Sequence, residues 1–250
     1  MKARVGGIVD LSTVDWQGNT CSMIFFAGCN LRCPFCCNAS LIPLKSGAEV
    51  DLEMLQERIA ANHDFIEGLG ATGGEPSLQP DAIHALFAWA KETGFKTFLN
   101  TNGTNPNLLT RLAEAGTLSY VALDIKAPLE VEAYNRAAGL SDSSDTIAKI
   151  RETLKICIDQ KIPFEARTTI VPTLIDDENS IRKIAKLLEG HATYYLQEFF
   201  PFEEIPDLEL RRQKPPTKAH LIQLAKTALH EGVAQAYIRT REYGAERITL

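Results

Sequence analysis

A regular alternation limits the fold of this chain more than any other feature of its sequence. Six short apolar runs, at residues 20–27, 65–71, 96–100, 120–125, 164–171 and 193–199, read as buried strands. Between them, residues 51–62, 80–93, 107–115, 144–160 and 177–188 carry helical spacing, and no internal repeat or Gly/Ser linker interrupts the series. Strands joined by helical crossovers pair in parallel. Nothing in the series breaks it in the manner of a dinucleotide-binding fold. The expected architecture is therefore α/β, a partial (β/α)6 barrel of the TIM type, formed as one domain over residues 1–250 with its core at about 15–235.

A barrel of this kind builds its active site at the C-terminal ends of the strands, so polar and glycine-rich clusters should follow the strands rather than precede them. They do. Gly28 to Cys36 follows the first run, Thr72 to Glu75 the second and Thr101 to Gly103 the third; Asp124 and Lys126 close the fourth, and Arg167 lies in the fifth. Turn-making explains any one of these clusters, but it explains poorly an Asp-Ile-Lys at the end of a buried strand. The stretch from Gln197 to Pro216, rich in proline and charge, reads as a loop at the barrel edge.

Cysteine points to the chemistry. Cys21, Cys29, Cys33, Cys36 and Cys37, five of the six, fall within 17 residues, whereas Cys157 lies in an apolar helical stretch and reads as core. A 250-residue chain with 45% hydrophobic residues buries a core without disulfide staples, so the crowding points to a metal or redox site. Cys29, Cys33 and Cys36 form a C-x3-C-x2-C. Three thiolates on one tight loop suit a cuboidal iron–sulfur cluster that leaves one iron without a protein ligand, whereas structural zinc normally closes four positions. A zinc site completed by a histidine is the alternative, although His63, His84, His191, His220 and His230 lack ligand spacing. Cys37 adjoins Cys36 and points elsewhere in most loop geometries, and Cys21 lies back in the strand.

Composition narrows the partners. Against 26 basic residues stand 32 acidic ones, a net charge of −6, which leaves no global basic field for nucleic acid or an anionic membrane. The longest apolar runs fall far short of the roughly 20 residues of a membrane helix, and no apolar signal core follows Met1, so a cytoplasmic protein is expected.

The C-x3-C-x2-C with an aromatic residue, here Phe35, before its last cysteine resembles the signature of the radical S-adenosylmethionine (radical SAM) enzymes. The resemblance implies a [4Fe-4S] cluster on Cys29, Cys33 and Cys36, with the amino and carboxylate groups of S-adenosylmethionine on the fourth iron. It also implies reductive cleavage to methionine and a 5′-deoxyadenosyl radical. Thr72-Gly73-Gly74-Glu75-Pro76 looks like that family's glycine-glycine-glutamate motif, in which glycine backbone and glutamate bind the methionyl amino group. The overlapping Gly68-x-Gly70-x-x-Gly73 matches the dinucleotide fingerprint in form only. Glu75-Pro76 follow it at once, and the next strand ends in Leu99-Asn100 rather than in an acidic residue.

Residues 12–18 (Ser-Thr-Val-Asp-Trp-Gln-Gly), Thr101-Asn102-Gly103, Asp124-Ile125-Lys126 and Arg167 to Pro172 are similar to the glycyl-radical-enzyme activating branch. The similarity is greatest to the anaerobic ribonucleoside-triphosphate reductase activating proteins, with pyruvate formate-lyase activase as a close relative. It implies Asn102, Lys126 and Arg167 near the ribose and carboxylate of S-adenosylmethionine, and Asp124 near a monovalent-cation position. It implies as partners a glycyl-radical enzyme, anaerobic ribonucleotide reductase foremost, and an electron donor such as flavodoxin or ferredoxin. For Lys126 and Arg167 the structural alternative is a buried ion pair with Asp124 or Glu165. Two features depart from the branch: Cys36-Cys37-Asn38 stands where activases commonly read Cys-His-Asn, and a ferredoxin-like insert is absent, so one cluster is expected. A radical SAM enzyme acting on a small molecule is the second reading and a non-enzymatic zinc-binding module the third.

Overall fold

All six expected strands are present, and four more join them. The structure, a computed structural model, describes residues 1–250. In chain order its elements are β1 (Lys2–Ser12), β2 (Cys21–Phe26), β3 (Ala48–Asp51), α1 (Leu52–Ala60), β4 (Gly68–Gly73), α2 (Pro80–Glu92), β5 (Lys96–Thr101), α3 (Pro106–Glu114) and β6 (Tyr120–Asp124). There follow α4 (Val131–Ala138), α5 (Ser144–Asp159), β7 (Phe164–Ile170), α6 (Glu178–Leu188), β8 (Thr193–Glu198), α7 (Lys218–His230), β9 (Gln235–Thr240) and β10 (Gly244–Ile248). No helix is long and apolar enough to cross a membrane.

By spatial contact the chain falls into two units. The first holds Met1–Asn30, Ser40–Ala122 and Lys149–Pro163; the second holds Leu31–Ala39, Leu123–Ala148 and Phe164–Leu250. In the first unit β2 pairs in parallel with β4 and β4 with β5, while β1 runs antiparallel to both β2 and β3, giving the order β5-β4-β2-β1-β3. In the second, β7 pairs in parallel with β8 and β8 with β9, and β10 closes an antiparallel hairpin on β9, giving β7-β8-β9-β10. Within each unit the strand pairing is mostly parallel.

The elements missing from the sequence expectation have a common cause. β1 carries Gly6-Gly7 in mid-strand, β3 has four residues and α4 has eight, so none sustains a period long enough to stand out from a loop. The larger departure is toward the C-terminus: beyond the loop at 197–216 the strand–helix series continues through α7, β9 and β10, which the six-strand expectation did not include.

The second strand starts at Gly68 rather than at residue 65, and its glycines have a packing reason. Gly68 and Gly70, two apart, share one face of β4. A Cβ at Gly68 would stand 2.7 Å from Trp16 Cζ3, and one at Gly70 would stand 2.1 Å from Met23 Sδ and 3.0 Å from Phe98 Cδ1. These side chains, with Cys21 and Ala122, form a buried cluster in which the Trp16 and Phe98 rings stack at 5.3 Å. The apparent nucleotide fingerprint is therefore the space that an indole occupies. In the second unit the polar interior is satisfied by a relay: Tyr194 Oη donates to Thr168 Oγ1 at 2.9 Å, and Thr168 Oγ1 donates to Ile125 O at 2.8 Å.

Trp16→Ala is expected to cost about 3–5 kcal/mol by urea unfolding, the range for emptying a core aromatic site. Gly68→Ala is expected to cost about 1–3 kcal/mol by overpacking against the indole. Wild-type stability in Gly68→Ala would mean that Trp16 has room to move and that the glycine answers some other demand.

Candidate active site

In the first unit three backbone segments meet at the C-terminal ends of the parallel strands β2, β4 and β5. Gly73 ends β4 with φ at +120°, and a Cβ there would stand 2.3 Å from Phe26 O; at Gly74 it would stand 2.2 Å from Gly28 O. Both positions exclude a side chain. The close approach serves hydrogen bonding, since Gly74 N donates to Phe26 O at 2.8 Å and Glu75 N to Gly28 O at 2.7 Å. From the other side, Gly28 N donates to Leu41 O at 2.8 Å and Cys29 N to Ile42 O at 3.0 Å. The backbone that delivers Cys29 is thus clamped between two segments.

The Glu75 side chain, 1% exposed, secures the loop after β5. Its Oε1 accepts from Ser77 N at 3.0 Å and from Thr101 Oγ1 at 2.7 Å, and its Oε2 accepts from Asn102 N at 2.7 Å. Burial pushes the Glu75 carboxyl above the usual carboxylate range, while these donors pull it back. Asn102 extends the link to the cysteine motif: its Nδ2 donates to Asn30 Oδ1 at 2.9 Å, Asn30 Nδ2 donates to Thr104 Oγ1 at 2.8 Å, and Thr104 Oγ1 donates to Asn102 Oδ1 at 2.7 Å. The three side chains close a ring. Beside it, Thr72 Oγ1 accepts from Asn100 Nδ2 at 3.0 Å, and Asn100 Oδ1 is buried without a partner.

In the second unit the segment Leu31–Ala39 carries Cys33, Phe35, Cys36 and Cys37. Cys36 N donates to Cys33 O at 3.1 Å, closing a turn, and Phe35 is buried. Burial pushes the Cys36 thiol up, and the Asn38 amide and Lys126 partly offset it. Lys126, just past β6, sets its Nζ 2.7 Å from Asp124 Oδ2. Burial works against that ammonium, but Asp124, Cys33 and Tyr134 outweigh it and hold the proton more tightly than on an ordinary lysine. On β7 Arg167 donates to Glu165, two residues earlier and hence on the same strand face, and both are buried. Both ion pairs weighed as the structural alternative are present.

A family model described as the radical SAM superfamily matches residues 23–188, more than half of the chain. The chain belongs to that superfamily. Among curated relatives, a Methanocaldococcus jannaschii protein whose name assigns it to the glycyl-radical enzyme activating enzymes is 35% identical over 231 residues, covering 91% of this chain and 92% of the relative. The pyruvate formate-lyase 1-activating enzyme of Escherichia coli is 26% identical over 86% of this chain and 90% of its own. Two solved structures share the fold: a radical SAM methyltransferase from Sphaerobacter thermophilus (TM-score 0.70, 15% identity, 92% of this chain and 68% of that one) and QueE from Escherichia coli (0.58, 14%, 96% and 95%).

Radical SAM membership implies a [4Fe-4S] cluster and S-adenosylmethionine, and the residues present fit both. All six cysteines are free thiols. A structural zinc normally closes four protein positions, whereas a cuboidal cluster takes three thiolates, each on a different iron. Cys21 and Cys157 are enclosed in the core, and burial pushes both thiols up to about 12. For a ligand ammonium, the buried carboxylate of Glu75 is a suitable anion. Sequence reasoning placed Thr101 in the cluster after the third strand without a role for its side chain, and missed Asn30 and Thr104 as tethers. Asn30 and Thr104 lie 74 residues apart, and nothing local signals their contact.

These contacts generate an expectation that needs no ligand. Glu75→Ala strands two buried amides and a hydroxyl without acceptors, so the cluster-free chain should lose about 3 kcal/mol or more in urea unfolding. Arg167→Met should cost about 3–5 kcal/mol by leaving Glu165 uncompensated, and the double change Arg167→Met/Glu165→Leu should recover most of it. An unfolding midpoint unmoved by Glu75→Ala would show that the carboxylate tethers nothing.

Proposed function

We propose that this radical SAM enzyme is an activase that installs a glycyl radical on a partner enzyme. Relatives named for that activity match it over nearly their whole length, and this observation carries the reading. In it, Cys29, Cys33 and Cys36 hold the [4Fe-4S] cluster. Thr72, Gly73, Gly74 and Glu75 receive the methionyl amino group of S-adenosylmethionine, Asn102, Lys126 and Arg167 its ribose and carboxylate, and Phe35 packs beside it. Asp124 adjoins a monovalent-cation position. When bound, the two groups supply a 5′-deoxyadenosyl radical by one-electron reductive cleavage, with methionine released, to take a hydrogen atom from the partner's glycine.

The chain's own residues support these roles by preorganisation. Glu75 is already fixed by three donors, so meeting an ammonium asks for no rearrangement. Lys126 stays charged because Asp124 pairs with it, and remains a cation for a ligand carboxylate to approach. Anaerobic ribonucleotide reductase is the partner favoured by the similarity of residues 12–18, 101–103, 124–126 and 167–172, with flavodoxin or ferredoxin as electron donor.

Replacing Cys29, Cys33 or Cys36 with Ala should remove bound iron and S-adenosylmethionine cleavage, while Cys21→Ala and Cys157→Ala keep both. Anaerobic, reduced protein mixed with S-adenosylmethionine and anaerobic ribonucleotide reductase should give a glycyl radical by electron paramagnetic resonance and an equal amount of 5′-deoxyadenosine. Changing the partner's radical-bearing glycine to alanine should abolish the signal. If no glycyl-radical enzyme responds while a metabolite extract yields a modified small product, the activase reading falls.

A further inference from the structure

A cavity of about 400 Å³ lies against the cysteine segment, and all of its lining residues belong to the second unit. Pockets that enclose a ligand run from about 300 to 1,000 Å³. Its apolar lining is Pro34, between Cys33 and Cys36, with Leu174 and Leu210. Leu174 follows β7 and Leu210 follows β8, so both come from the C-terminal ends of parallel strands, where α/β folds bind their ligands. Backbone bonds tie the lining together: Asp207 N donates to Pro34 O at 3.1 Å and Arg32 N to Ala138 O at 2.8 Å.

The charges around the cavity are unequally engaged. Asp207 Oδ1 caps its own turn, accepting from Glu209 N at 2.8 Å and Leu210 N at 3.0 Å, and Glu209 Oε1 accepts from Arg212 Nη1 at 2.8 Å. Arg136, exposed in the last turn of α4, meets no carboxylate of the chain. Beside it the turn after β7 is strained. Val171 and Ile175 exchange hydrogen bonds at 2.9 Å, and between them Thr173, which lines the cavity, holds φ at +68° with its N donating to Asp176 Oδ2 at 3.0 Å. A β-branched residue is an outlier in the left-handed region, and such strain persists where the surroundings over-determine it, as at ligand clamps.

We propose that this cavity seats a segment of the partner enzyme that carries a carboxylate side chain among apolar ones, with Arg136 meeting the carboxylate. The inference deepens the activase reading and rests on it. A substrate of that kind is a polypeptide, and delivering one glycine of it to the cluster requires that a neighbouring stretch of its chain be held. Pro34 makes the cysteine segment itself one wall of the holding site. An apolar lining takes the apolar side chains, and an uncompensated guanidinium at the same cavity selects for an anion by a charge-assisted hydrogen bond. An electron-carrying protein also needs access to the cluster, but it works through a small surface contact and asks for no cavity of this volume.

The test uses the full chain, reconstituted anaerobically, with anaerobic ribonucleotide reductase as partner and dithionite as reductant. Arg136→Glu should match the wild type in iron per chain and in urea unfolding midpoint, because the fold asks nothing of that guanidinium. The Kd for the partner by calorimetry and the KM for radical formation should both rise about tenfold. The loss should be recovered at saturating partner, and Arg136→Lys should keep most of the affinity. An unchanged Kd and KM at wild-type iron content overturns the inference and leaves the activase reading standing. A loss present with flavodoxin as reductant and absent with dithionite assigns the cavity to the electron donor, which also overturns it. If the Glu variant loads poorly, salt supplies the second measurement: the wild-type Kd should rise with added sodium chloride, and that of Arg136→Gln should rise less steeply. Equal salt dependence in the two proteins overturns the inference. If the wild type forms no radical on any glycyl-radical enzyme, the activase reading falls and the inference falls with it.

Discussion

A single buried carboxylate ties the first half of the site together. Isolated, an ionised carboxyl at the depth of Glu75 would be far too costly to keep. Three donors from two loops make it tolerable, and in doing so they become fixed by it. The loop after β5 therefore has its place because Glu75 does, and Asn102 passes that order to Asn30, the residue after Cys29. Burial pushes the Glu75 carboxyl above the usual carboxylate range while the three donors pull it back, so the tether that orders the loops also keeps an acid in the interior.

In the second unit the charges are matched before any ligand arrives. Lys126 is paired with Asp124 and Arg167 with Glu165. The Arg167–Glu165 pair is buried, where loss of one partner is severe, and so it holds its geometry; the part-buried Lys126–Asp124 pair is more open to solvent. A ligand carboxylate reaching Lys126 would join an existing network instead of quenching a lone cation. Near neutrality suits a loop of thiols, because thiolates beside an unshielded carboxylate would be driven back to the protonated form.

Strong local period was what made part of this molecule legible. Six apolar runs showed in the sequence as strands because they alternate with segments of helical spacing, and the C-x3-C-x2-C shows because its spacing is its chemistry. β1 does not show, since Gly6-Gly7 breaks its run, and α4 is too short to complete three turns. The ring of Asn30, Asn102 and Thr104 joins residues brought together only by the fold. For Lys126 and Arg167 the spacing to Asp124 and Glu165 permits an ion pair without requiring one, because the side-chain rotamer decides it. Only the three-dimensional structure could separate those possibilities.

The glycine pattern of β4 joins the core to the site. Gly68 and Gly70 let Trp16 and Met23 pack across the strand, while Phe98 stacks on Trp16 from β5. That packing holds β4 and β5 in one register, with Gly68 opposite Lys96 and Ala71 opposite Leu99. The same offset sets Thr72 opposite Asn100, whose side chains bond to each other, and carries Gly74 to the level of Asn102. Where the ladder ends, the Glu75 carboxylate takes over its role and reaches Asn102 N at 2.7 Å. A slip of one residue would turn every side chain of β4 to the opposite face, burying Leu69 against the indole and sending the carboxylate away from the β5 loop. The aromatic core thus acts on the chemistry without touching it: it sets the register, and the register delivers Glu75 to Asn102 and thereby Asn30 to its place beside Cys29.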